Sequence, residues 1–194
     1  KNRVWSMAKR ALTAAIATTS GGGNSALTAT PTGPAFWLIK SEPADYSIAA
    51  LRVEGRTVWD GVRNPTARKH LRAMQVGDQC LFYHSSCKQI GVVGLATVCR
   101  AHYADPADKA WAVVDVEYRD TYRQIISLDA LKQHRDGALA GMALFKMSRL
   151  SVQPVSRPHF DFIATTFVPS EGPVTNPFHA DFEDDGDRQK KARR

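Results

Sequence analysis

Two long segments with β-type alternation, residues 90–103 and 111–125, constrain the fold of this chain more than any other feature. In the second segment the charged residues Asp115 and Glu117 flank Val116, and this period of two places successive side chains on opposite faces of a strand. A short polar loop, ADPADKA, joins the two segments. The sequence therefore predicts two long strands joined by a polar loop.

Shorter elements surround this pair. Ser47, Asn64, Ser127 and Ser156 each stand where a polar side chain would cap a short helix, and the segment 138–145 is predicted to be helical or irregular. Apolar and β-branched runs predict four further strands, at residues 36–40, 57–60, 79–85 and 149–156. Short strands with small helices between them indicate an α+β fold, a small β-barrel with short flanking helices.

The chain divides into three predicted segments. Residues 36–167 form the folded domain, and 194 residues are enough for one well-buried core. Residues 1–35 are a low-complexity arm, and residues 168–194 are an acidic and then basic tail. No apolar run approaches the roughly 18 residues that span a bilayer, so a membrane partner is not expected.

Both termini have a composition that is typical of targeting signals or of disordered segments. Residues 1–35 hold four basic and no acidic residues and are rich in Ala, Ser and Thr, which is typical of a mitochondrial transit peptide and equally of a disordered arm. The final run RQKKARR is typical of a nuclear address, of a phosphate contact or of a solvated end. These segments predict a mitochondrial or nuclear location, with the mitochondrion slightly favoured.

Net charge and cysteine content indicate the kind of partner. The formal net charge of +7 favours a polyanion such as nucleic acid, because neutralising phosphates releases counterions. Three cysteines without paired spacing indicate a reducing compartment. Cys80 and His84, four strand residues apart, are separated by roughly 13 Å, too far to share one metal ion. Neither a metal nor a cofactor is predicted.

Several motifs resemble one family. FWLIKSEP, WDGVRN, LRAMQVGD, LFYHSSCK, GVVGLATV, VDVEY and RLSVQPV follow one another as they do in EVE-domain proteins of the thymocyte nuclear protein group. The resemblance implies a PUA-like barrel that recognises modified bases, notably modified cytosine, in a pocket between strands and helix. In these relatives the loop corresponding to ADPADKA is usually longer.

The candidate base pocket combines this resemblance with residue chemistry. The resemblance alone implies Lys40, Ser41 and Glu42. Trp59 is predicted to stack under a base or, alternatively, to lie in the core. Tyr83 and Ser85 share one face of a strand, whereas His84 points the other way and is expected to be a structural hydrogen-bonding residue.

The residues after Trp59 leave a choice open. Asp60, Arg63 and Asn64 could present hydrogen-bonding groups and a helix N-terminus to a base. Equally, Asp60 and Arg63 could pair with each other, and Asn64 could act only as a helix cap.

A phosphate-binding patch is predicted from four basic residues. Arg68 and Arg72 are four residues apart on one helix and so share a face. Lys146 and Arg149 lie near the last strand and would extend this patch. The alternative for all four is a solvated surface.

Three classes of function follow. The sequence favours a non-catalytic protein that binds nucleic acid, either RNA or modified DNA, as a reader of modified bases. No deaminase, two-metal, G-x-S-x-G or phosphate-loop signature is present, so an enzyme is not expected. The alternative is a structural subunit of a large ribonucleoprotein, such as a mitochondrial ribosome, with RNA and other protein subunits as partners.

Overall fold

A mixed sheet of six strands forms the centre of the protein, which a computed structural model describes for residues 33–167. The order across the sheet is β2-β5-β4-β3-β1-β6, in which β1 and β3 are parallel and all other neighbours antiparallel. The strands are β1 (Phe36–Ser41), β2 (Arg56–Trp59), β3 (Gln79–His84), β4 (Gly91–Ala104), β5 (Ala112–Ser127) and β6 (Val152–Val155). The predicted α+β class is confirmed, and the two predicted long strands correspond to β4 and β5, which pair antiparallel within the sheet.

Within residues 33–167, four short helices lie between strands and a fifth follows β6, and the four predicted capping residues begin four of these five helices. The side chains of Ser47, Asn64, Ser127 and Ser156 each accept a backbone N–H from the first turn of the helix that follows, which satisfies donors that have no partner within the helix. The helices are α1 (Ile48–Glu54), α2 (Pro65–Ala73), α3 (Leu128–Lys132), α4 (Ala143–Lys146) and α5 (Arg157–Thr166).

The sheet curls around one of two hydrophobic cores. Side chains from all six strands, including Trp59 on one edge strand and Val152 on the other, meet in a first core with α1 and α2. Helix α2 also contacts β4, β5 and β6, which brings the two edges of the sheet towards each other. The second core lies between the opposite face of the sheet and α3, α4 and α5.

The curvature has a local cause in β4. The pairing of β4 with β5 shifts register between Val92 and Gly94, which marks a bulge. At Gly91 and Gly94 the backbone of β5 approaches so closely that a Cβ atom would overlap its carbonyl oxygens. Glycine is required at these two positions because only a residue without a side chain allows that approach.

Two elements are shorter in the structure than the sequence predicts. Within the predicted segment 138–145 the chain is mostly turns, and the helix covers only Ala143–Lys146. The last strand begins at Val152 rather than at residue 149. No helix within residues 33–167 is long and apolar enough to cross a membrane. The predicted arm and tail lie outside the described residues, apart from the few that adjoin the domain.

Candidate functional site

A polar cleft of about 390 Å³ opens at one end of the sheet. Because β1 and β3 are parallel and β6 runs antiparallel to β1, the chain that leaves β1, the chain that leaves β3 and the chain that enters β6 meet at this end. The loop after β2 completes the wall. The cleft is lined by Lys40, Ser41, Glu42, Asp45, Gly61, Val62, Ser85, Ser86, Ser148, Arg149 and Ser151.

Lys40 is a nearly buried cation in the wall of this cleft. Its side chain is enclosed by the end of β1 and the segment before β6, and its Nζ donates to the carbonyl oxygen of Ser148 at 2.9 Å. The backbone N–H of Lys40 donates to the carbonyl of Ser151, also at 2.9 Å. Burial lowers the pKa of Lys40 from its usual value to about 8, because desolvation disfavours the charged form. The ammonium has three donors, so it can still donate to a ligand.

The floor beside Lys40 is fixed by backbone contacts. The Ser41 hydroxyl donates to the carbonyl of Tyr46 at 2.7 Å, and both the N–H and the hydroxyl of Ser85 donate to the carbonyl of Ser41. The backbone N–H of Ile48 donates to His84 Nε2 at 3.2 Å. Burial lowers the pKa of His84, which favours the neutral ring that can accept this bond. The structural role expected for His84 matches this geometry.

Two rim residues adopt left-handed backbone conformations. Gly61 has φ = 71°, which costs a glycine little. Ser86 has φ = 54°, a conformation that costs a residue with a side chain about 1–2 kcal/mol. Strain of this kind is concentrated at binding sites, where surrounding contacts hold it in place.

The charges around the cleft are mixed. Lys40 and Arg149 contribute two cations, and Glu42 and Asp45 contribute two carboxylates on exposed side chains. Five serines line the cleft, and the hydroxyls of Ser41 and Ser85, which donate to backbone carbonyls, can still accept; Val62 is the one apolar side chain among the described lining residues. No described lining residue is aromatic. The arrangement suits a small polar ligand held by hydrogen bonds.

Trp59 does not form a wall of the cleft, and its predicted role as an exposed stacking surface is wrong. Its side chain is 0% exposed within the first core. The ring packs edge-on against Phe82, with 5.4 Å between ring centroids, and against Tyr46 at 6.4 Å. The period-two pattern of β2 turns Trp59 inward, so the alternative assignment to the core holds in this structure.

Tyr83 and Asn64 also lie away from the cleft lining. Tyr83 packs into the second core and contacts the site only through Lys40, whose Nζ lies 5.4 Å from the ring centroid. Burial raises the pKa of Tyr83 to about 12. The Asn64 side chain accepts the N–H groups of Thr66 and Ala67, as its capping role requires. A cap explains the position of Asn64 without a ligand.

Asp60 and Arg63 border the cleft without lining it. Asp60 is half-buried, and burial followed by the nearby Asp105 carboxylate raises its pKa. The Arg63 side chain is exposed and turns towards Trp111, with Cζ 4.4 Å from the ring centroid. The two residues do not form an ion pair with each other within residues 33–167.

The four predicted phosphate contacts lie on α2, on α4 and in the segment before β6. Arg149 lines the cleft, whereas Lys146 and Arg72 are exposed on α4 and α2. Arg68 is half-buried, and its guanidinium lies 4.7 Å from the centroid of Trp111. The shared helical face of Arg68 and Arg72 is therefore interrupted by the contact with the β4–β5 loop.

The sequence interpretation overlooked part of the lining. Ser148 and Ser151 join the cleft because β6 pairs with β1, and that pairing leaves no local signal in the sequence. Val62 and Ser86 could have been predicted, since they lie in the motifs WDGVRN and LFYHSSCK. Trp111 directly follows the short polar loop, and an aromatic residue at that point was the available signal.

One protein-family model matches most of the described residues. The model for the EVE domain matches residues 35–166. Thymocyte nuclear protein 1 of Rattus norvegicus is 38% identical over 161 residues, which cover 66% of this chain and 71% of that protein. The Homo sapiens protein of the same name is 36% identical over 160 residues, with the same two coverages.

Solved structures give a consistent result. The human THYN1 protein in complex with 5-methylcytosine containing DNA has a TM-score of 0.64 and 32% identity, covering 72% of this chain and 99% of that chain. A hypothetical protein from Leishmania major has a TM-score of 0.63 and 41% identity, covering 67% of this chain and 92% of that chain. The EVE-domain match over residues 35–166 includes every strand that borders the cleft.

Proposed function

The chain belongs to the EVE domain family, and from that premise we propose that it binds nucleic acid without catalysing a reaction and reads a modified base in its cleft. The modified base is a cytosine carrying a methyl group, and the nucleic acid is DNA. The domain that does so spans residues 36–167. The structure of the human THYN1 protein in complex with 5-methylcytosine containing DNA motivates the choice of ligand.

One observation supports the proposal most strongly: the cleft places a nearly buried cation beside several serine side chains. Its volume of about 390 Å³ lies within the range of small-molecule sites. An extruded base is read through hydrogen bonds to its edge, and a lysine donor suits the carbonyl of a pyrimidine. Val62 offers an apolar contact for a methyl group, as apolar side chains do for the methyl of thymine.

This mode of recognition differs from the one expected from the sequence. Without an aromatic side chain in the described lining, selectivity comes from hydrogen bonds to Lys40 and the serines rather than from stacking. Such a site disfavours a base whose edge cannot accept from the Lys40 ammonium, because the remaining donors of that nearly buried group would then have no partner.

The related proteins are called nuclear proteins, which favours the nucleus for this chain. A mitochondrial location gains no support from these relatives. The alternative function, a subunit of a ribonucleoprotein with RNA and protein partners, relied on the terminal arm and tail. Those segments lie outside the described residues, and no feature of the folded part favours that alternative.

The substitution Lys40→Met tests the proposal. Met keeps the length of the side chain and removes the charge, so affinity for a double-stranded oligonucleotide with one 5-methylcytosine should fall about tenfold, as expected for a lost charge-assisted hydrogen bond. The folded pKa of Lys40 is about 8, so raising the pH from 7 to 9 removes its proton. Wild-type affinity should therefore fall across this range, and the variant should lose that pH dependence. Fluorescence anisotropy measures both.

Lys132→Met is the matched control. Lys132 is exposed and paired with Asp129 on α3, outside the cleft, so its loss should change affinity little. Equal binding of methylated and unmethylated oligonucleotides by the wild type would refute the reader proposal. Unchanged binding and pH dependence in Lys40→Met would show that the cleft does not hold the base.

A further inference from the structure

Two guanidinium groups share one aromatic ring beside the cleft. Cζ of Arg63 lies 4.4 Å from the centroid of Trp111, and Cζ of Arg68 lies 4.7 Å from it. Because these distances add to 9.1 Å, the two charges are no farther apart than that. Cation–π contacts of this kind contribute roughly 0.5–1 kcal/mol each at exposed sites, enough to restrict two otherwise flexible side chains.

The ring itself is held by the short β4–β5 loop. Nε1 of Trp111 donates to the Asp108 carboxylate at 2.8 Å, and the backbone N–H of Trp111 donates to the carbonyl of Asp108 at 3.0 Å. Nη1 of Arg68 donates to the carbonyl of Ala110 at 3.4 Å. The loop therefore packs against the start of α2 and restricts the positions of both guanidinium groups.

The charges of this cluster are not balanced by ion pairs. Neither Arg63 nor Arg68 forms an ion pair with a carboxylate within residues 33–167. Asp105 and Asp108 accept N–H groups of their own loop, and the half-buried Asp60 interacts electrostatically with Arg63 without forming an ion pair with it. Two cations held close together repel each other, and a bound anion relieves that repulsion.

The cluster adjoins the proposed base site along the chain. Gly61 and Val62 line the cleft, and Arg63 is the next residue. A nucleic-acid strand that places a base in the cleft must run its sugar-phosphate backbone close to Arg63. The anion best matched to the position is therefore a phosphate of that strand, for which arginine has suitable fork geometry.

We propose that Arg63 and Arg68, positioned by Trp111, bind backbone phosphates of the nucleic acid whose base occupies the cleft. This inference rests on the proposed function. Arg63 and Arg68 make the contacts, and Trp111 is a positioning residue. The cluster supplies affinity that does not depend on sequence or methylation, whereas the cleft supplies discrimination between bases.

The salt dependence of binding tests this assignment. Arg63→Gln and Arg68→Gln should each reduce the slope of log affinity against log salt by about 1, because each removes one phosphate contact. The effect should be the same for an oligonucleotide with one 5-methylcytosine and for its unmethylated twin, so their affinity ratio is retained. Arg135→Gln, which removes an exposed arginine paired with Asp136 on another part of the surface, should leave the slope unchanged.

Trp111→Leu tests the positioning role. This variant retains both arginine charges. If the two charges act without defined positions, its affinity for DNA should be unchanged. If Trp111 positions the two arginines, its affinity for DNA should fall several-fold. In a Trp111→Leu background, Arg63→Gln should then cost less affinity than in the wild type. Arg63 is exposed, so its variant tests the proposal even if Trp111→Leu unfolds.

The two proposals fail in different ways. Unchanged slopes in both arginine variants, with discrimination retained, would overturn the phosphate assignment and leave the reader intact. Reduced slopes without discrimination between methylated and unmethylated DNA would support the phosphate contacts and contradict the base site.

Discussion

Trp59→Ala is expected to lower the free energy of unfolding by about 3–5 kcal/mol, the range for truncating a buried tryptophan. The side chain is 0% exposed, and its ring packs edge-on against Phe82 and close to Tyr46 in the first core. Truncation leaves a cavity between the sheet and α1, and the surrounding strands relax only in part. Urea unfolding followed by circular dichroism measures the change.

Trp111→Ala provides a matched comparison, because the same atoms are removed from a ring that is only half-buried. Its effect on unfolding should be clearly smaller. If Trp59→Ala kept the stability of the wild type and weakened binding to DNA, Trp59 would be a ligand contact and the core assignment would be wrong.

Asp78→Ala is expected to cost about 2–4 kcal/mol of stability. One oxygen of the buried Asp78 carboxylate accepts the indole N–H of Trp37 at 2.8 Å and the backbone N–H of Gln75 at 3.0 Å, and the other accepts the N–H of Ala35 at 2.9 Å. Removing it leaves the indole donor buried without a partner, which costs the desolvation energy of that group in addition to the lost bonds. Thermal and urea unfolding report the loss.

Asp136→Ala serves as the control for Asp78→Ala. Its carboxylate is 88% exposed and pairs only with Arg135 on the surface, so its removal should change stability by less than about 0.5 kcal/mol. Equal stability of the two variants would show that the Asp78 bonds are replaced by water without cost.

Local signals in the sequence were sufficient for the elements of the fold. Ser47, Asn64 and Ser127 mark helix starts because capping is a contact between neighbours in sequence. The alternation in 111–125 marks β5 for the same reason. The exact start of β6 was missed because pairing with β1, not local pattern, decides where that strand begins.

The site was harder to predict because it depends on how strands pair. Lys40, Ser41 and Ser85 were found through their motifs and meet in the cleft, since β1 and β3 run parallel. Trp59 was misplaced because a tryptophan beside polar residues has the same local pattern whether it faces a pocket or a core. Ser148 joins the site through contacts that no local pattern encodes.

The Trp111 cluster illustrates the same limit. Arg68 was predicted to share a phosphate-binding face with Arg72, as the helical period suggests. The β4–β5 loop instead brings Trp111 against Arg68 from more than 40 residues away in sequence. A helical face shows which side chains are neighbours along a helix, and only the tertiary fold shows what lies opposite them.

The central claim is that a methylated cytosine enters the cleft beside Lys40 and Val62. The most direct measurement is NMR on the complex with an oligonucleotide whose one 5-methylcytosine carries a ¹³C-labelled methyl group. We expect nuclear Overhauser contacts between that methyl group and the side chain of Val62, together with a shift of the Lys40 Nζ resonance. Contacts of the methyl group confined to residues outside the cleft, with the Lys40 resonance unchanged, would contradict the account.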